Sequence, residues 1–551
     1  MKFTRILLFI LGLVPFCTQA QLLKAKAKYT RADTLRGMLT PLRTCYDINY
    51  YHLDVKFDID KKFISGSNRF KFTATENFTK LQFDLFDNLK IEKVVYKGAN
   101  LPFKREFNAV FVTFPKTITK GSKDEFTVYY SGNPVVAKKA PWDGGVVYTA
   151  DSLGKPFVAT ACQGLGASVW WPNKDHQADE VDSMLISISV PTGLQDVSNG
   201  RLRKTTDLKN GYTKFDWFVG SPINNYGVAV NIANYAHISD TYAGEKGNLS
   251  LDYWVLSYNA AKAKKHFDAN VKPMLKAFEN WFGPYPWYED GYKLVETPFL
   301  GMEHQSAVAY GNKYGNGYLG QDLSLTGWGL KWDYIVVHES GHEWFGNNVT
   351  SKDIADMWIH EGFTDYSESL FIESNYGKQA GLEYNLGLRK GIDNDGPIVG
   401  PYNVNKEGSG DMYPKGSVLL NTIRTIINDD AKWRDILRGL NKTFYHKTVT
   451  YDDITGYISQ QAGMNLAPVF DQYLHYKTLP ILNIENVNGR LYIRWIAEAA
   501  NFTMPVKIRV KGGEYKFVTV TNTLKPFEIA GLTKDNVEVD TFNYYIGTLI
   551  E

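Results

Sequence analysis

Cysteine is scarce in this chain, with three in 551 residues. Cys17 falls in an N-terminal apolar segment, so Cys45 and Cys162 are left to form at most one bridge. A disulfide-stapled scaffold is excluded, while spacing leaves one bridge and two buried thiols equally open. An excess of one charge is missing too. The net charge is +2, which asks for neither nucleic acid nor an anionic membrane surface. No apolar run reaches the ~20 residues a membrane span needs, so no stable membrane insertion is expected. Solenoid repeats and low-complexity tracts are absent. The glycine pattern Gly315-Asn316-Gly317-Tyr318-Leu319-Gly320 lacks a surrounding βαβ unit, and a dinucleotide site is therefore not expected. Nothing in the sequence signals an oligomeric state.

What is present is a globular composition of 44% hydrophobic and 22% charged residues, long enough for about three to four domains. Lys2 and Arg5 precede the apolar run 6–16, and Thr18-Gln19-Ala20 places small residues at both recognition positions of a cleavage site. Residues 1–20 are thus expected to be a signal peptide cleaved near Ala20, and the protein to be exported, periplasmic or secreted. Residues 51–59 alternate strictly, with Leu53, Val55, Phe57 and Ile59 on one face, as a half-buried strand does. Similar runs at 69–73, 81–85, 91–96, 110–114, 126–130, 185–190, 214–219 and 226–230 extend an N-terminal β-domain over 21–237. Within it, residues 161–182 (ACQGLGASVWWPNKDHQADEVD) form an unusual loop. From 260 the pattern is helical, with Pro273 expected to bend or restart the helix over 260–282. This helical part runs through 238–478, and alternation returns over 479–551 as a small β-sandwich.

The chemistry is concentrated in 333–366. His338 and His342 stand four apart, so on a helix both imidazoles lie on one face. They can share one zinc ion while Glu339, between them, stays outside its coordination. A catalytic zinc takes three protein ligands and keeps one position open for water. Glu361 is the natural third ligand. The 18 intervening residues, 343 to 360, allow one helix to end and another to return.

These residues, with an upstream Leu300-Gly301-Met302-Glu303-His304, resemble the aminopeptidase N family of zinc metallopeptidases. That family belongs to the gluzincins and includes a leukotriene epoxide hydrolase branch. The resemblance covers most of the chain. It rests on the H-E-x-x-H-x(18)-E pattern at His338, Glu339, His342 and Glu361, on Trp344-Phe345-Gly346-Asn347, and on 358–363. It implies a multidomain α+β protein: an N-terminal β-domain, a thermolysin-like catalytic domain and a small C-terminal β-sandwich. It also implies one zinc per chain and peptide substrates. Glu339 would be the general base and Tyr413, in Tyr413-Pro414-Lys415-Gly416, the group that hydrogen-bonds the oxyanion. Gln163, Gly301, Met302 and Glu303 would bind substrate, with Glu303 taking the free α-amine.

Departures from the family pattern carry expectations of their own. His304 stands in for an asparagine as a structural residue. Leu165 replaces an acid that would help bind the amine. Glu343, where glutamine is usual, is expected to be solvated or to support the ligands rather than react. Phe299 is expected in the first side-chain pocket, and Asp356 behind a zinc ligand. A counterpart of the large helical C-terminal domain of many relatives is not expected within these 551 residues. A zinc aminopeptidase is the leading reading. A non-catalytic peptide-binding protein would be expected to have lost a ligand or the base, and all are present. An epoxide hydrolase that keeps the zinc site is the third.

Overall fold

The computed structural model describes residues 28–551; the expected signal peptide, 1–20, lies outside the described residues. The alternating run near residue 53 lies in strand Tyr46–Asp58, where Leu53, Val55 and Phe57 are fully buried. This strand lies inside an eight-stranded sheet, parallel to Ser183–Pro191 on one side and antiparallel to Phe63–Ala74 on the other. Smaller sheets cover it, one of them built from Gln195–Val197, Asn231–Ala233, Pro156–Ala161 and Gly145–Ala150. The expected strand at 226–230 is not one. Asn225–Gly227 is a short 3-10 turn capped by the Asn224 side chain, and the residues after it are buried coil. Their backbone is satisfied from outside a ladder, as when Val230 N donates to Thr160 Oγ1 at 3.0 Å. A short apolar run reads alike in either state. Trp170 and Trp171 pack as core, Trp171 edge-on to Tyr51. Cys45 and Cys162 are both buried and unbridged.

The next layer is a five-stranded sheet of Tyr235–Gly244, Gly247–Leu256, Tyr292–Glu296, Val308–Tyr310 and, on its outer edge, Gly301–Met302. Helix Ala260–Phe282 runs as one element across Pro273, flanked by the buried Val271, Met274 and Leu275. Packing of that face holds the helix through the hydrogen bond that proline cannot make. Behind it stand the histidine helix Tyr334–Gly341, the glutamate helix Trp358–Tyr376 and the helix Pro414–Ile427. The terminal strands form a four-stranded and a three-stranded sheet within 481–550.

Two apolar cores organise these layers. The N-terminal sheets enclose one, which reaches out to take Met302, Phe299 and Ala309. The helices and the terminal sheets share the other, running from Phe278 and Trp344 to Trp495 and Phe502. The edge strand Gly301–Met302 therefore hydrogen-bonds to one layer while Met302 buries itself in the other. That strand is where the N-terminal and helical parts meet, and the predicted chemistry lies beside it.

Candidate active site and metal centre

The histidine helix starts at Asp333, whose carboxylate accepts from Val336 N. It ends with His342 still in right-handed helical conformation (φ −62°, ψ −20°). The four-residue spacing is thus kept, and both rings face one cavity. Strand Val349–Ser351 and a 3-10 turn, Ile354–Asp356, fill the interval before the glutamate helix. Glu361 lies in that helix's first turn, where the helix dipole favours an anion.

Each imidazole is oriented from behind. His338 Nδ1 lies 2.7 Å from Glu368 Oε1, and His342 Nδ1 lies 3.1 Å from the Phe345 carbonyl. Acceptors at both Nδ1 atoms place the protons there and leave the Nε2 lone pairs facing Glu361. Glu361 Oε2 is 3.3 Å from His342 Nε2 and 3.7 Å from His338 Nε2, and this buried oxygen has no hydrogen-bond partner. Tetrahedral bonds of ~2.0–2.1 Å would set ligand atoms about 3.3 Å apart. Three converging donor atoms at nearly that separation, one an orphaned carboxylate oxygen, fit a zinc ion. Two further groupings share a histidine with this one: Glu303, Glu339 and His342 lie around the same cavity, and that of His338, Asp365 and Glu368 is closed by the direct bond between His338 and Glu368.

The cavity has a volume of about 250 Å³. It is lined by Gln163, Gly301, Met302, Glu303, Glu339 and Tyr413 together with His338, His342 and Glu361, so every predicted site residue is brought together. Gln163 bridges the two parts of the protein. Its amide donates to Glu303 Oε1 at 2.7 Å and to Glu361 Oε1 at 3.0 Å. Glu339 is 9% exposed, against 2% for Glu303 and 1% for Glu361, so among these acids it faces the cavity most directly. A Cβ on Gly301 would stand 2.6 Å from Glu339 Oε1, which sets the edge strand flush against the base.

Tyr413 is placed by a helix crossing. The backbones of Gly362 and Gly416 touch: a Cβ on Gly416 would lie 2.7 Å from the Gly362 Cα. That approach seats the start of helix Pro414–Ile427, and Tyr413 before it, beside Glu361. The Tyr413 ring lies nearly parallel to that of His338, at 6.1 Å between centroids.

The charge balance is one-sided. Glu303, Glu339, Glu361 and Glu407 all line the cavity, and among the described residues that do so none is lysine or arginine. Burial pushes the Glu339 carboxyl up to about 7, against the pull of the two imidazoles. Burial raises Glu303 also, opposed by His342. For Glu361 burial works upward but the imidazoles outweigh it, holding the group well below the usual carboxylate range. Burial, with Glu361 and Glu303 nearby, lifts the Tyr413 hydroxyl well above the usual phenol value.

Three expectations need correction or refinement. Asp356 does not stand behind a ligand: it accepts from Tyr402 OH at 2.8 Å and Tyr451 N at 3.1 Å. Glu368 does so instead, with Tyr384 OH holding its other oxygen at 2.6 Å. It follows Glu361 by seven residues, two helical turns, and that spacing was the available signal. Phe299 lines a neighbouring cavity, not this one. Glu343 is fully buried rather than solvated, and accepts from Ser306 N at 2.8 Å. It ties the histidine helix to the turn that follows Glu303. His304 is buried outside the ligand set, as its structural reading requires.

Two histidines on one helix and a glutamate on the next, beside an N-terminal β-domain, make the arrangement that the gluzincin resemblance implies. Residues 267–473 match the Peptidase family M1 domain. Aminopeptidase B of Rattus norvegicus is 24% identical over 417 residues, covering 72% of this chain and 57% of that protein. Probable aminopeptidase 2 of Sulfurisphaera tokodaii is 21% identical over 494 residues, or 86% and 60% of the two chains. The chain thus spans somewhat over half the length of these curated relatives. A two-domain M1 zinc metallopeptidase variant bound to L-tryptophan shares the fold at a TM-score of 0.67 and 19% identity, over 79% of this chain and 95% of that one. The M1 zinc metallopeptidase from Deinococcus radiodurans does so at 0.65 and 18%, with the same coverage. Residues 267–473 thus carry a peptidase family M1 domain, in a fold shared with M1 zinc metallopeptidases.

Proposed function

We propose that this chain is a zinc-dependent aminopeptidase that releases the N-terminal residue from peptides with a free α-amino group. The observation that carries the reading is the anionic wall beside the ligand triad. Glu303 is buried, joined through Gln163 to Glu361, and faces a cavity that no lysine or arginine lines among the described residues. A buried carboxylate calls for a cationic partner, and a peptide's terminal ammonium is one.

His338, His342 and Glu361 would hold one zinc per chain. Bound there, zinc supplies a Lewis acid for the peptide carbonyl and lowers the pKa of a coordinated water towards ~7. Glu339 has a carboxyl near neutral pKa at the cavity surface, suited to accept a proton from water and return it to the leaving amine. The Tyr413 hydroxyl, kept protonated by burial, donates to the carbonyl oxygen as it becomes negative. Gly301 and Met302 form the outer strand of their sheet, whose free edge can take an extended peptide backbone. Glu303 then anchors the amine, so the cut falls after one residue.

Chelation tests the reading. Purified protein should contain about one zinc per chain, lose leucyl-amide hydrolysis on dialysis against a chelator, and regain it with about one equivalent of zinc. Undiminished hydrolysis by zinc-free protein would contradict it.

A further inference from the structure

Gln163 reaches across the cavity from a turn that little supports. Its amide donates to Glu303 Oε1 and Glu361 Oε1, both on other elements. The turn closes on itself: Leu165 N donates to the Gln163 carbonyl and Gly166 N to the Cys162 carbonyl, each at 2.7 Å. Those bonds fix its shape but not its place. Gly164, at the tip, is exposed and adopts φ +69°. Beyond its chain neighbours, no heavy atom lies within 4 Å of where a Cβ would stand. Packing does not hold the tip.

Two side chains from distant parts of the chain do. Arg36 Nη2 donates to the Gly164 carbonyl at 3.1 Å, and Asn405 Nδ2 donates to the same oxygen at 3.2 Å. Arg36 belongs to helix Arg31–Gly37, which Thr30 and Asp33 close with a capping box. That helix is fastened to the N-terminal part. Arg43 Nη1 donates to the Arg36 carbonyl at 2.9 Å, and Gln82 Nε2 to the Leu35 carbonyl at 3.0 Å. The guanidinium itself is wedged, since a Cβ on Gly166 would lie 2.7 Å from Arg36 Nη2. As a charged donor it makes one of the stronger bonds a carbonyl can accept.

Asn405 comes from the helical part. Its segment is pinned where Asn403 N donates to Asp353 Oδ2 at 2.9 Å. Gly37 packs against the Asn405 backbone with no room for a Cβ. Two residues further on, Glu407 lines the cavity. One exposed carbonyl is therefore gripped from both parts of the protein, one residue away from the side chain that links Glu303 to Glu361.

We propose that Arg36 and Asn405 are positioning residues: by holding the Gly164 carbonyl from two sides, they set the Gln163 amide between Glu303 and Glu361. With one oxygen of Glu303 pinned by Gln163, its carboxylate meets a substrate ammonium in a fixed orientation. The proposal rests on the aminopeptidase reading and adds to it two residues that touch neither substrate nor zinc ligand.

A double-mutant cycle tests it, with leucyl-amide as substrate and every protein zinc-loaded. Arg36→Met keeps the apolar stem and removes the donor. Asn405→Asp suits the same left-handed backbone, φ +48°, and replaces the donor with an acceptor. Gln163→Ala should raise KM by about tenfold, and each of the other two by about three- to tenfold, with kcat within about twofold of wild type. Combined with Gln163→Ala, neither should raise KM further, because residues that act through one group do not add. A merely structural role would lower stability or the active fraction and leave KM alone. Should Arg36→Met fail to fold, Asn405→Asp decides by the same cycle. An unchanged KM in Gln163→Ala or in Asn405→Asp, or effects that multiply in the double variants, would overturn the positioning role alone. Failure of zinc-loaded wild type to cleave leucyl-amide would overturn the aminopeptidase reading and this role with it.

Discussion

The helical region and the terminal sheets share one apolar core, yet they treat charge in opposite ways. In the sheets, charged side chains pair at the surface, as Arg509 does with Glu538 and Arg494 with Glu485, each group 23–39% exposed. Alternation puts Ile484, Ile493 and Val506 inward and leaves such pairs to water. In the helical region, Glu303, Glu361, Asp365 and Glu368 are at most 4% exposed and surround two buried histidines. Buried like charges destabilise a fold unless something positive joins them. Under the proposed function, a dication and an ammonium would join these interior carboxyl groups. The exposed pairs mark only a solvated face.

The contrast can be broken or sharpened by substitution. The largest effect should come from Glu339→Gln. Zinc content should be unchanged while kcat falls by roughly 10²–10⁴-fold, the usual range for a general acid–base. A variant with near-normal kcat would assign the proton transfer to another group. Tyr413→Phe comes next. Losing one donor to the oxyanion costs about 2.7–4 kcal/mol, or roughly 10²–10³-fold in kcat with KM nearly constant. A change confined to KM would place the hydroxyl in ground-state binding.

Glu368→Gln acts one layer further out, on the proton of His338 Nδ1. It should weaken zinc binding by about 10–100-fold, read by competition with a chromogenic chelator. Unaltered affinity would leave Glu368 as a packing residue. At the small end, Arg509→Ala in the terminal sheet should leave the unfolding midpoint nearly unchanged and zinc affinity alone. A large drop in that midpoint would remove the contrast between the two regions.

The metal triad was the most legible part of the sequence because its geometry is local. A step of four from one histidine to the next is about one helical turn whatever surrounds it, and Glu361 needed only room for a return helix. Gln163 and Glu303 lie 140 residues apart. They were reachable through the likeness to a family, since neither periodicity nor spacing brings them together. The errors are also instructive. Asp356 is nearer than Glu368 to the ligands in sequence, but its turn carries it towards Tyr402 and Tyr451. Phe299, four residues from Glu303, packs on the N-terminal core and lines the cavity adjoining the site. The buried run after Asn225 looked like a strand because burial, not pairing, sets its composition. Arg36 carried no motif, and only the folded chain sets it beside Gly164. Alternation in the terminal sheets was plain, whereas their union with the helical core depends on contacts distant in the chain.

The central claim is that Glu303 holds a free terminal ammonium beside the zinc ligands, and product analysis on one peptide tests it most directly. The peptide is offered in free-amine and N-acetylated forms to zinc-loaded wild type and to Glu303→Ala, and the products are followed by mass spectrometry. Wild type should trim the free form one residue at a time and leave the acetylated form nearly intact. Glu303→Ala should lose at least about tenfold in kcat/KM on the free form, on the scale of ~1.5–3 kcal/mol for a hydrogen bond to a charged group. Equal cleavage of both forms, or cuts inside the chain, would contradict the account.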